Sequence, residues 1–279
     1  MSPRRARAED PPPGYEQFSA SGAHVIAERA QVAAVREALR AGTLYDYAVR
    51  QYEAGAPGAR RLMGRAPAYA IALPGAGGGT RVVVRHSRHG GLLAPLTGDR
   101  FLPPTRAPLE LDAALRLRTG GVRTPDVVAY ALYPAGAFLR RCDVVTREVA
   151  GGHDLAAVLA GGGDLCLIGS GPAARDAIIA AVAELLRALA GAGARHPDLN
   201  AKNVLLAPGN DGGESLAAYV LDVDRVVFEP AGSPRVAEAN ARRLARSLRK
   251  LRARVGLPVT DDEIVQLAEG ASLATRAAV

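Results

Sequence analysis

The chain has 279 residues, with 35 Lys and Arg against 28 Asp and Glu, 48% hydrophobic residues, two cysteines and no tryptophan. That length accommodates one two-lobed domain or two modest domains with an adequate core, and the hydrophobic fraction excludes a disordered chain. Cys142 and Cys166 lie in no CxxC or Cys/His cluster, which argues against a disulfide scaffold or structural zinc and points to a reducing cytoplasm.

The N-terminus is charged and then proline-rich with no apolar segment behind it, so no signal peptide is expected. The most apolar helical stretch, Ala177 to Ala190, is interrupted by Glu184 and Arg187 and is too short to span a bilayer. A soluble or peripheral protein is therefore expected. The formal net charge is +7, and only Lys202 and Lys250 are lysine. An arginine-rich balance suits acidic partners: nucleotide phosphates, anionic sugars or an anionic membrane face. Nucleic acid is not expected, because aromatics make up only 4% of residues and no basic–aromatic platform is present. Oligomeric state is not legible.

Residues 1–20 read as a flexible arm. From Val25 to Leu39 the apolar spacing predicts a helix ended by Gly42. Strand-like runs follow at Tyr69–Leu73 and Arg81–Arg85, joined by the glycine-rich segment 74–79, which reads as a hairpin connection. Glu110–Arg118 is helical in character, and Val127–Tyr133 and Val144–Val149 are strand-like. Gly151 and Gly152 separate this strand-rich half from a second half with helices at about 154–159, 173–190, 235–254 and 261–269. A strand pair, Val204–Ala207 and Ala218–Asp222, lies among them. No internal repeat is present. The pattern predicts an α+β fold with a cleft between two lobes, divided as an arm (1–20), an N-lobe (21–150) and a C-lobe (151–279).

The informative segment is HPDLNAKNVLL at 196–206, followed by YVLDVDR at 219–225. An Asp five residues before an Asn, ahead of a short apolar strand, fits a phosphoryl-transfer loop. The Asp orients the acceptor hydroxyl and takes its proton, while the Asn amide oxygen reaches a magnesium ion. A second Asp at the end of the next strand supplies a further hard oxygen, which suits a metal that takes few ligands from protein. These positions are Asp198 (catalytic) and Asn203 and Asp222 (metal). His196 reads as an organiser of the loop, because Asp198 already fills the role of base.

HPDLNAKNVLL and LDVDR resemble the lipopolysaccharide kinases with a protein-kinase-like fold, in particular 3-deoxy-D-manno-octulosonic acid (Kdo) kinases, with H-x-D-L-N-x-x-N-[IV]-L and I-D-F-D-R. Segments 82–93, 110–118 and 240–251 are also similar, so that the resemblance covers roughly residues 60–255. Departures are Pro197, Val223 where the family favours Phe, and a degenerate nucleotide loop. The resemblance implies a bilobal fold with a strand-rich nucleotide-binding N-lobe and a shortened helical C-lobe.

It also distributes the remaining roles. Protein kinases use a strand lysine for the nucleotide phosphates, but no lysine precedes Lys202. Arg85 stands at that position, and the family likewise has Arg there; a guanidinium forks onto phosphate oxygens and keeps its charge. Glu110 is its expected partner. The phosphate-covering loop is placed at 64–69, where Gly64 remains and Ala66 and Ala68 stand at the other glycine positions. The nucleotide base is expected at backbone groups of 146–150, around Glu148. His86 and His89 fall in a basic, glycine-ended loop that the resemblance places against the acceptor or phosphates.

The chain runs only from Asp222 to Val279 after the second Asp and contains no A-P-E element. A peptide-docking groove is therefore not expected, and a small or lipid-linked acceptor is. In the tail helix, Leu244, Leu248 and Leu251 form an apolar stripe among seven cations, which suits core packing with a solvated basic face and contact with an anionic inner leaflet. The combined expectation is an ATP- and Mg²⁺-dependent kinase acting on a Kdo hydroxyl, the 4-hydroxyl by resemblance, of a lipid A precursor at the cytoplasmic face of the inner membrane. The alternatives are a heptose kinase, another small-molecule phosphotransferase, or a non-catalytic scaffold.

Overall fold

The computed structural model describes residues 10–62, 67–87, 98–103, 105–136, 138–162, 171–209 and 215–276. The chain divides into two compact units: Met1–Pro108 with Asp126–Glu148, and Leu109–Pro125 with Val149–Val279.

The first unit is built on seven antiparallel strands: β1 (Tyr15–Ala20), β2 (Ala23–Glu28), β3 (Arg60–Leu62), β4 (Ala68–Ala72), β5 (Arg81–His86), β6 (Val127–Pro134) and β7 (Arg140–Arg147). Their spatial order is β1-β2-β6-β7-β5-β4-β3. Helices α1 (Val32–Ala38) and α2 (Leu44–Glu53) pack on the sheet. Val25, Val35, Leu39, Leu44, Ile71, Val82, Val84, Val128 and Val145 form their shared core.

Two expectations are corrected in this unit. Tyr15–Ala20, taken as part of a flexible arm, is a strand, and Ala23–Glu28, taken as the start of a helix, is its hairpin partner. The connection is Ser21-Gly22, both at positive φ (49° and 77°), as a two-residue hairpin turn requires. Val25 and Ala27 alternate into the core with strand periodicity. Only Val32–Ala38 of the expected helix is α-helical. Helix α2, unanticipated, begins at a capping box: Thr43 accepts the Asp46 N–H, and Asp46 accepts the Thr43 N–H, each at 3.0 Å.

The β4–β5 connection is a hairpin turn, as its glycines predict. Gly79 has φ +71°, and a Cβ there would collide with the Leu73 carbonyl. Glu148, just past β7, is held by Arg81 at 2.8 Å and Arg60 at 2.6 Å, and its N–H donates to the Arg81 carbonyl.

A buried polar cluster ties α2 to the sheet. Asp143 on β7 is fully buried. It accepts the Tyr45 N–H at 3.0 Å and the His86 Nδ1–H at 2.6 Å, and Tyr133 contacts it while accepting the Leu44 N–H at 2.9 Å. His86 Nε2 lies 2.9 Å from Asp99. With a carboxylate at each nitrogen, the imidazolium is the favoured form. Burial alone lowers its pKa, but hydrogen bonds and charges from Asp143 and Asp99 outweigh this and the net shift is upward from 6.5. For Asp99, burial opposes ionisation but His86 prevails and the net shift is downward from 3.8.

Linkage then has a definite sign. The His86 contribution to stability is complete below pH 6.5 and is lost as pH rises through the higher folded value. The Asp99 contribution is complete above pH 3.8 and is lost only as pH falls through the lower folded value. Thermal melts of the wild type are expected to weaken from mildly acidic to mildly alkaline pH, and a His86→Gln variant should flatten that slope. Parallel slopes in the two proteins would contradict the assignment. The cluster also corrects the reading of His86 as an anion contact, since both ring nitrogens are taken by carboxylates; His89 lies outside the described residues.

Between β5 and β6 runs α3 (Arg106–Thr119), most of which belongs to the second unit. That unit continues with β8 (His153–Asp154), α4 (Leu155–Leu159), α5 (Pro172–Gly191), β9 (Ala194–Arg195), β10 (Val204–Pro208), β11 (Leu216–Val220), β12 (Val227–Phe228), α6 (Pro234–Val255) and α7 (Asp261–Arg276). Helix α5 buries Ile178, Val182, Leu185, Leu186 and Leu189 and packs on α6, α7 and β11. Leu244 and Leu248 of α6 are fully buried, as the leucine stripe predicts, whereas Leu251 of the same stripe is half-buried. Among the described residues, no helix is long and apolar enough to cross a membrane.

Candidate active site

The candidate site lies in the second unit and begins where α5 ends. Gly193, in the left-handed region at φ +65°, turns the chain into β9; a Cβ there would collide with the Glu229 carbonyl. The loop His196–Asn203 follows and leads into β10, which pairs antiparallel with β11. The Val204–Val220 register and the Leu221 N–H to Asn203 carbonyl bond at 2.9 Å bring Asn203 and Asp222 to the same end of this hairpin.

Short-range hydrogen bonds fix the loop. The Asp198 carbonyl accepts the side-chain amides of Asn200 and Asn203, each at 2.9 Å. Asn200 Oδ1 accepts the Lys202 N–H at 2.9 Å. His196 is buried; its Nδ1 accepts the Asp198 N–H at 3.2 Å, so Nε2 carries the proton and donates to the Leu221 carbonyl at 3.0 Å. The imidazole thus staples the residue carrying the candidate base to the residue preceding Asp222.

Asp222 lies two residues beyond the end of β11, outside the strand expected to contain it, at φ 54° and ψ 52°. A non-glycine residue in this left-handed region costs of order 1–3 kcal/mol and persists only where its surroundings impose it. Asn203 is nearly buried, and its Nδ2 donation leaves Oδ1 as the remaining side-chain acceptor. An amide oxygen and a carboxylate at one hairpin end form a hard-oxygen donor set. Among the described residues no group of three or more His, Cys, Asp or Glu side chains could hold a metal. Two protein ligands suit magnesium, which draws the rest of its shell from phosphate and water.

Helix α6 holds the loop from the other side through residues that sequence reasoning missed. Asn240, fully buried, accepts the His196 N–H and donates to the Ala194 carbonyl, both at 2.9 Å. Ser247 accepts the Ala201 N–H at 3.1 Å. Arg243 Nη2 donates to Asp198 Oδ1 at 3.2 Å. These positions recur at i, i+3 and i+7, one face of a helix. The available signal was Asn240 itself, a poor helix former in a helix interior.

The other expected residues fall elsewhere. Glu110 is buried on α3, in the same unit as the loop. Arg85 and Glu148 belong to the first unit, Arg85 on β5 between β4 and β7. Gly64 and Ala66 lie outside the described residues.

The profile of the lipopolysaccharide kinase (Kdo/WaaP) family matches residues 75–270. No curated protein matches the chain. Among solved structures, WaaP in complex with acyl carrier protein is similar at 20% identity and TM-score 0.48, over 80% of this chain and 82% of that one. The Rio2 kinase of Chaetomium thermophilum, in its ADP/Mg²⁺-phosphoaspartate complex, is similar at 17% identity and TM-score 0.43, over 82% and 70% of the two chains. The fold is α+β, with its strands concentrated in the first unit and its long helices in the second. The family profile covers well over half of the sequence and runs through both units, so the chain belongs to the lipopolysaccharide kinase (Kdo/WaaP) family.

Proposed function

We propose that this chain is an ATP- and Mg²⁺-dependent kinase that phosphorylates a Kdo hydroxyl, the 4-hydroxyl, on a lipid A precursor. The observation that carries the reading is the convergence of Asp198, Asn203 and Asp222 on one end of the β10–β11 hairpin within a lipopolysaccharide kinase family member. Asp198 orients the acceptor hydroxyl and takes its proton as the oxygen–phosphorus bond forms and the bond from phosphorus to the ADP oxygen breaks. Asn203 Oδ1 and the Asp222 carboxylate hold the metal, which neutralises charge on the phosphates when bound. Arg85 is assigned to the nucleotide phosphates, Glu110 to the supporting acid, and 64–69 and 146–150, with Gly64, Ala66 and Glu148, to the nucleotide.

A peripheral location at the inner-membrane face belongs to the same proposal. Arg242, Arg243 and Arg252 are ion-paired with Glu238, Asp198 and Asp261. Arg246, Arg249, Lys250 and Arg254 stay exposed on α6, a cationic surface suited to anionic lipid.

The test is transfer from γ-labelled ATP to a Kdo-lipid A precursor, a heptosylated core and an aminoglycoside in parallel, with the Kdo lipid presented in anionic vesicles and in neutral detergent. Label on the Kdo lipid alone is expected, with a salt-sensitive advantage in vesicles. Label on another acceptor instead would overturn the Kdo assignment. Equal rates in both presentations would overturn the membrane contact.

A further inference from the structure

We infer that Arg243 is a positioning residue for Asp198, which rests on the phosphoryl-transfer reading of the loop. Among the described residues the Asp198 side chain makes one hydrogen-bonded ion pair, the 3.2 Å bond from Arg243 Nη2 to Oδ1. Its backbone is separately fixed by His196, Asn200 and Asn203. Side-chain torsion is therefore the remaining freedom of the base, and Arg243 is the group that restrains it. With Oδ1 engaged, Oδ2 is the oxygen left to receive a hydroxyl proton.

Arg243 is itself well placed to do this. It lies between Asn240 and Ser247, which bind the backbone on either side of Asp198, and beside the fully buried Leu244. The helix is thereby fixed against the loop at two points that do not involve the carboxylate. The Arg243 side chain remains 39% exposed and that of Asp198 42%, so the pair is open to solvent and adds little to stability as an ion pair. A contact of small structural worth, made to the one residue whose orientation governs proton transfer, belongs to the reaction rather than to the fold.

The test compares wild type with Arg243→Ala, Arg243→Lys, Asp198→Ala and the Arg243→Ala/Asp198→Ala double variant in kcat, KM and melting temperature. Arg243→Ala is expected to lower kcat by roughly 10- to 100-fold, the scale of a misplaced reacting group, with KM for ATP and melting temperature near wild type. Arg243→Lys should retain part of the rate, and added guanidinium should restore part of it to Arg243→Ala but none to Asp198→Ala. The double variant should be no slower than Asp198→Ala, because the two residues act as one unit. An inactive Asp198→Ala beside a fully active Arg243→Ala, or additive losses in the double variant, would overturn the inference while leaving the kinase reading intact. A fully active Asp198→Ala would overturn both.

Discussion

An Asp198→Ala enzyme is expected to lose roughly 10²–10⁴-fold in kcat, the contribution of a positioned general base. Its melting temperature should stay close to wild type. The side chain is 42% exposed and its one hydrogen bond among the described residues is to the similarly exposed Arg243. The loop backbone is held by groups that survive the substitution: the His196 bridge to Leu221, the Asn200 and Asn203 amides on the Asp198 carbonyl, and the Asn240 clamp. Calorimetry and steady-state kinetics on one preparation separate the two effects. A variant that melts normally and transfers phosphate at the wild-type rate would remove Asp198 from the mechanism.

The opposite split is expected in the first unit. Asp143 is fully buried and accepts from His86 and from the Tyr45 N–H, with Tyr133 also against it. An Asp143→Leu change leaves the Tyr45 N–H and the His86 Nδ1–H without their acceptor in a largely buried site, with Asp99 the one carboxylate still on the imidazolium. Removing one partner from a buried charge pair costs about 3–5 kcal/mol. For a chain of this size that corresponds to a fall of order 10 °C in melting temperature. An Asp143→Leu/His86→Leu double variant should recover part of the loss, because it removes the half-paired imidazolium together with the acceptor it lost. Equal or additive losses in the double variant would show that the two side chains are not coupled.

The candidate site was largely legible because its signal is local. Asp198, Asn203 and Asp222 lie within one loop and one hairpin, so residue spacing alone carries most of their geometry. The core strands β4–β7 were legible as short apolar runs set off by glycine-containing connections, although β7 spans Arg140–Arg147 rather than 144–149. The N-terminal hairpin was misread because Val25, Val32, Val35 and Leu39 are spaced at helical intervals across the break at Arg29–Gln31. The turn signal Ser21-Gly22 and the capping box Thr43–Asp46 were present and decide those elements. The polar clusters were not legible for a different reason. His86 meets Asp143 across 57 positions and Arg243 meets Asp198 across 45, and such pairings exist only after the strands and helices have packed. The tail helix illustrates the difference: its leucine stripe follows from period, whereas the neighbouring Asn240–Arg243–Ser247 face acquires meaning only from the loop it grips.

On the proposed reading, the hairpin end carrying Asn203 and Asp222 holds the metal for phosphoryl transfer. The most direct measurement is the initial rate of γ-phosphate transfer against free Mg²⁺ for wild type, Asn203→Ala and Asp222→Asn. Both substitutions should raise the Mg²⁺ needed for half-maximal rate by about tenfold or more, the scale of a lost charged or ion-contacting ligand. Mg²⁺ dependences that superimpose on the wild type would contradict it.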